Sequence, residues 1–146
     1  MSIAALFTWM ATVLGGLALL VIWLMEYDRD TQSTAATRLP VSVISLHALL
    51  GTGGLLVWGL YLVGDEDELG WITVADLAIV VALGLTMATR WIGVYRAYDD
   101  PGPSLTRSTT APPERHFPLP VVVAHGVLAV TTLVLVLLTA LDVGGT

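Results

Sequence analysis

Residues 40–63 read PVSVISLHALLGTGGLLVWGLYLV without a single charge, and residues 118–141 read PLPVVVAHGVLAVTTLVLVLLTAL, also uncharged. A helix needs roughly 20 apolar residues to cross the hydrocarbon core of a bilayer. Both stretches meet that length, and working outward from them two more runs do as well. The expected spans are about 3–25, 40–63, 71–95 and 118–141. None alternates with the two-residue period of a barrel strand. A backbone in lipid must satisfy its own hydrogen bonds, so each run is expected to be a helix. The expected fold class is therefore all-α. It is an integral membrane four-helix bundle that forms a single transmembrane domain over residues 1–146.

Composition agrees. Of 146 residues, 55% are hydrophobic and only 12% charged, about half the charge fraction of a soluble domain. The chain has no cysteine, which excludes disulfides, thiolate catalysis and thiolate-bound metals. A net charge of −6 without a basic patch excludes a nucleic-acid partner. The N-terminal run lacks a positive leader and a small-residue cleavage pattern, so it is expected to be retained as a span.

The six basic residues, all arginine, orient the spans. Arg29, Arg38, Arg90, Arg96, Arg107 and Arg115 fall in or beside the connections after the first and third spans. The short connection 64–70 is acidic. The positive-inside rule makes loops 26–39 and 96–117 cytoplasmic, puts loop 64–70 outside, and leaves both termini outside a multi-pass cell (inner) membrane protein. Trp23, Tyr27, Trp91, Tyr95 and Phe117 then fall near the cytoplasmic ends. Phe7, Trp9, Trp58, Tyr61 and Trp71 fall near the outer ends, and all these rings are expected in aromatic belts at headgroup depth. The proline-rich loop from Ala97 to His116 is expected to be an irregular connector.

The chain also repeats itself. Pro40, Val43, His47, Leu50, Leu55 and Leu60 match Pro118, Val121, His125, Leu128, Leu133 and Leu138 at one fixed offset. Val13, Gly16, Leu17, Trp23 and Tyr27 match Val81, Gly84, Leu85, Trp91 and Tyr95 at another. Leucine and valine matches are cheap in such a composition; the Pro, His, Gly, Trp and Tyr matches are not. The bundle is thus expected to be two tandem parallel helical hairpins around a pseudo-two-fold axis along the membrane normal, unlike the inverted repeats of many transporters.

That symmetry puts His47 and His125 at one depth. Each lies seven residues after the proline that starts its helix, roughly 10 Å along it. An ionisable residue inside a membrane helix is a functional-site hypothesis by default. Small residues share the histidine face: Gly51 and Gly54 in one copy, Ala129 and Thr132 in the other. They give a neighbouring helix or a flat ligand close access to the backbone. Neutral imidazole is a common metal ligand, and haem iron takes axial ligands from two elements. The bland alternative is that each histidine hydrogen-bonds across the bundle. Zinc or copper is disfavoured, because only two histidines are in reach and no acid shares their depth.

The pair, set in four membrane helices, resembles the bis-histidine b-type membrane cytochromes, including the cytochrome b561 type. Typical members carry four haem-ligating histidines for two haems. With three histidines here, the resemblance implies at most one haem b, with His47 and His125 as axial ligands to its iron. Arg90, about one turn beyond their depth, would meet the anionic propionates, with ordinary snorkelling as the alternative. Arg38 and His116, equivalent by the repeat, cap the two histidine helices. The resemblance also implies electron transfer linked to a quinone, although no quinone site is visible in the sequence.

Two other classes fit. Small size and short loops suit a non-catalytic accessory or assembly subunit of a larger membrane (respiratory) complex. The segment Glu114-Arg115-His116-Phe117-Pro118 through His125-Gly126 resembles small membrane proteins of high-GC bacteria, and this carries no activity with it. A proton or ion conductor would use His47, His125 and Asp76, but the polar stripe a pore needs is thin here. Asp76 lies near the outer face, too far from Arg90 to pair with it. The expected partners are the lipid bilayer, a quinone or larger complex, and further copies of the chain. No motif of a hydrolase or transferase is present.

Overall fold

The computed structural model describes residues 1–27, 37–64, 66–99 and 112–143. Those residues form four helices: α1 (Ser2–Glu26), α2 (Val41–Gly64), α3 (Asp67–Asp99) and α4 (Leu119–Ala140). One 3₁₀ turn, Pro113–His116, precedes α4, and no strand occurs among the described residues. All four helices are long and apolar enough to cross a membrane.

The helix ends follow from local chemistry. Pro40 and Pro118 start α2 and α4 alike, each carbonyl accepting from the residues three and four positions on, Val43 and Ile44 in one case and Val121 and Val122 in the other. A proline at a helix start forfeits no internal hydrogen bond. Helix α3 begins earlier than its apolar run because Asp67 and Glu68 suit a first helical turn. It also runs on past Tyr95, with Arg96 in its last turn. The α3 extension and the 3₁₀ turn therefore take up both ends of the connector expected to be irregular. Residues 100–111 and Arg107 lie outside the described residues, as do 28–36 with Arg29.

Packing sets the layout. Helix α1 packs chiefly on α4 and α2 chiefly on α3, while α1·α2 and α3·α4 are slighter contacts. The backbones of α1 and α3 do not approach each other closely, and neither do those of α2 and α4, so these pairs occupy opposite corners and meet only through side chains. The outward face of α1 is apolar throughout: Ile3, Phe7, Met10, Leu14, Leu17, Val21 and Leu24 are all exposed. An apolar stripe of that length is a liability in water and ordinary against lipid tails.

The core reverses part of the aromatic reading. Trp9 and Trp58 are 2% and 0% exposed and pack with Ala5, Leu77 and Val136. Trp23 and Trp91 are also buried. Phe7 and Trp71 do face outward, as a belt requires. Three of these four tryptophans place their N–H groups on bundle partners, while Trp91 Nε1 is buried with no partner among the described residues. Trp9 Nε1 donates to the Gly51 carbonyl at 2.9 Å, Trp58 Nε1 to the Ser2 carbonyl at 3.3 Å, and Trp23 Nε1 to Thr37 Oγ1 at 3.3 Å. A buried indole is cheap once that one donor is satisfied.

Candidate functional site: a histidine pair between opposite corners

His47 on α2 and His125 on α4 reach toward each other from opposite corners. Their ring centres lie 6.1 Å apart, with the planes at 63°. Each ring is held from a neighbouring helix. His47 Nδ1 pairs with the Val80 carbonyl of α3 at 3.0 Å, and His125 Nδ1 pairs with the Thr12 carbonyl of α1 at 2.9 Å. A carbonyl only accepts, so Nδ1 is the protonated nitrogen on both rings and donates to it. Nε2 then keeps its lone pair, the state in which imidazole binds a metal.

Thr12 and Val80 are one position before the matched Val13 and Val81, so the two hydrogen bonds are equivalents under the repeat. Glycine completes the equivalence. A Cβ at Gly16 would lie 2.9 Å from His125 Cε1, and one at Gly84 would lie 3.2 Å from His47 Cε1. Each imidazole thus lies close against a helix backbone, where a side chain would crowd it. The sequence matched Gly16 with Gly84 without linking them to the histidines. That link needs the knowledge that α1 packs on α4 and α3 on α2.

The other expected site residues are placed as follows. Gly51 and Gly54 lie further along α2, away from the arginine end. Their face carries side chains: Trp9 bonds the Gly51 carbonyl, and Trp9 and Asp76 both press on Gly54. Ala129 is half-buried on α4, and Thr132 beyond it is buried and donates to Thr8 Oγ1 at 3.1 Å. Arg90 is exposed at the arginine end, where Nη1 donates to the Arg38 carbonyl at 3.2 Å. It lies six residues past Gly84, roughly 9 Å along α3. That is nearer two turns from the rings than the one turn read from the spacing.

Three turns from the histidines toward the chain termini, on the same helix faces, stand Trp58 and Val136, each 0% exposed. A tryptophan on one helix and a valine on the other fill that level of the bundle.

At the arginine end an unforeseen group closes the bundle. Glu114, 0% exposed, accepts from the Arg38 backbone N–H at 2.6 Å and from Thr37 Oγ1 at 3.0 Å. This ties the 3₁₀ turn before α4 to the segment before α2. The Trp23–Tyr27 and Trp91–Tyr95 pairs, equivalents again, flank it with ring centres 4.6 and 5.3 Å apart. His116 Nδ1 lies 3.8 Å from Glu26 Oε2 with both side chains half exposed, a pairing of small energetic consequence.

The described residues hold no cluster of three or more His, Asp or Glu side chains suited to a metal ion. The candidate donors are the two imidazoles. Comparison with family models, with curated proteins and with solved structures finds no match to the chain.

Proposed function

We propose that this chain is a small b-type haem protein of the cell membrane that transfers electrons, built as two parallel hairpins with both termini outside. The observation that carries this reading is the histidine geometry. Two imidazoles that share one iron have ring centres about 6.3 Å apart, from two metal–nitrogen bonds of about 2.0 Å and about 1.2 Å from each nitrogen to its ring centre. The observed 6.1 Å fits that spacing. A porphyrin supplies four donors of its own, so two protein ligands suffice.

Haem b, when bound, would supply a one-electron iron couple. The protein's part is to hold the site in place. The Thr12 and Val80 carbonyls fix both ring orientations and keep Nε2 unprotonated. Gly16 and Gly84 let the neighbouring helices close on the rings. Arg90, exposed at the arginine end, is the side chain that would meet an anionic edge of the group. One histidine pair faces across the bundle, which fits one haem, and Trp58 and Val136 fill the level three turns further along the same helices. The arginine distribution supports the orientation.

The test is optical. Protein purified after haem-sufficient expression should show a Soret band and a dithionite-reduced α band. Both should vanish in the His47→Ala, His125→Ala double variant while the far-ultraviolet helix signal remains. A folded, colourless wild-type protein would end this reading.

A further inference from the structure

The two hairpins are not identical copies. Inside the bundle, Asp76 on α3 stands where Thr8 stands on α1. The larger divergence lies outside, on the faces that α1 and α3 turn away from the bundle. Phe7, Met10, Leu14, Val21 and Met25 are exposed along α1. At the offset that matches Gly16 with Gly84, α3 carries Ala75, Ala78, Ala82, Thr89 and Gly93, and these too are exposed. Both sets recur at helical spacing on one face. Leu85 keeps the size of Leu17 at the edge of that face, and Trp71 closes it at the end away from the arginines. One helix thus presents a ridge and the other, at the same levels, a trough.

Lipid gives no reason for the difference, because the repeat sets the two faces at the same depth in the same bilayer. The bundle gives none either, since both faces point away from it. A trough of alanine and glycine lets another helix approach the backbone closely, and van der Waals packing of this kind drives helix association in membranes. The hydroxyls of Thr86 and Thr89 bond to carbonyls of their own helix, those of Ala82 and Thr86, at 2.9 Å each. They require no polar partner. The helix that fits the trough has large apolar side chains at the same spacing and depth, and the chain carries such a helix in α1.

Charge points the same way. Arg96 is exposed in the last turn of α3. Glu26 is half exposed at the end of α1, with His116 3.8 Å away. Arg96 lies two residues beyond the α3 equivalent of Glu26, roughly 3 Å along the axis. With the ridge of one copy set in the trough of another, helical spacing brings Arg96 and Glu26 to the same side of the seam. A seam of α3 on α3 would instead gather the arginines of both copies at one end and both Asp67–Glu68 pairs at the other. We propose that α3 of one copy receives α1 of a second copy, Leu14 opposite Ala82 and Met10 opposite Ala78, with Arg96 meeting Glu26. Because α1 and α3 hold opposite corners, the contact is head-to-tail and repeats, so copies line up in rows in the membrane plane.

The chain has no cysteine, so single-cysteine copies test the seam directly. Leu14→Cys and Ala82→Cys chains with different tags are co-expressed in one membrane and oxidised with copper phenanthroline. The mixed disulfide should exceed either same-residue disulfide at least fivefold. It should also exceed the background set by Val127→Cys, exposed on α4. Ala75→Phe with Ala78→Met copies the α1 residues into the trough of the Ala82→Cys chain and should lower the mixed product at least fivefold. Both positions face outward, so the variant should fold, as its helix signal will show. Arg96→Glu in the Ala82→Cys chain should lower the product several-fold, and Glu26→Arg in the Leu14→Cys chain should restore it. A dominant Ala82→Cys homodimer would overturn the proposal in favour of a symmetric α3 seam. Mixed product at the Val127→Cys background would overturn it in favour of lipid on both faces. So would a mixed product indifferent to the bulky pair or to the charge changes.

Discussion

Replacing Gly16 by alanine would put a methyl carbon 2.9 Å from Cε1 of His125. Carbon atoms pack best at about 3.5–4.0 Å, so the ring or the helix has to move by about 0.6 Å or more. Overpacking of this kind costs about 1–3 kcal/mol. Displacing the ring also strains the bond from His125 Nδ1 to the Thr12 carbonyl, worth about 1 kcal/mol. Against this, alanine in a helix interior returns about 0.5–1 kcal/mol relative to glycine. The net expectation for Gly16→Ala is a loss of about 1–3 kcal/mol. Gly84→Ala should show the same sign and a smaller size, since its contact is 3.2 Å. Gly93→Ala and Gly126→Ala are the controls: a Cβ there meets nothing within 4 Å, so both should be neutral or slightly stabilising. Unfolding in mixed SDS micelles measures all four, and, with haem bound as proposed, the Soret band of each would report whether the ring has moved. If Gly16→Ala proves as stable as Gly93→Ala and its spectrum is unchanged, the cradle described for His125 is wrong.

Glu114→Ala removes the buried acceptor of the Arg38 N–H and the Thr37 hydroxyl and should cost about 2–4 kcal/mol, with Glu114→Gln milder; SDS unfolding within about 0.5 kcal/mol of wild type, the scatter of surface substitutions, would refute that role. Trp9→Phe keeps most of the ring and loses the N–H bond to the Gly51 carbonyl, so it should destabilise by about 1 kcal/mol in the same assay, and Trp9→Ala by about 3–5 kcal/mol. The chain has no cysteine, so Glu66→Cys and Arg96→Cys are clean topology probes. In right-side-out vesicles an impermeant maleimide should label Glu66→Cys and spare Arg96→Cys; the opposite pattern would reverse the proposed orientation.

The four helices were legible because a run such as 40–63 is long, uncharged and without strand alternation, and lipid leaves such a run few alternatives. The ends were less legible. Asp67 and Glu68 look like loop residues by polarity, yet they favour a first helical turn, and α3 takes them in. The histidine pair was visible through the repeat, and Gly16 and Gly84 were visible as matches. What the sequence did not contain was which helix faces which. Without that, the small residues on the histidines' own face, Gly51 and Gly54, looked like the ligand wall. The wall at ring depth comes from other helices, and Gly51 and Gly54 receive Trp9 instead. Trp9 and Trp58 were read as belt residues by their place in the span, because distance along a helix does not report which way a side chain points. Glu114 had no signal at all: a carboxylate in a polar segment is ordinarily solvated, and its burial depends on Thr37 and Arg38 some seventy-six positions earlier in the chain.

The helix pairing has a consequence for how the molecule comes into being. The contacts within hairpin α1–α2 and within hairpin α3–α4 are smaller than the two interfaces that run from one hairpin to the other. Neither hairpin supports its own histidine: His47 leans on α3 and His125 on α1. The arrangement is that of a closed two-fold dimer whose protomers have been joined end to end. A ribosome that has delivered the first hairpin has therefore made half of everything and none of the site. Gene fusion, in such a design, guarantees a one-to-one ratio of halves and leaves each free to diverge where the other does not need it, as at Asp76 and Thr8.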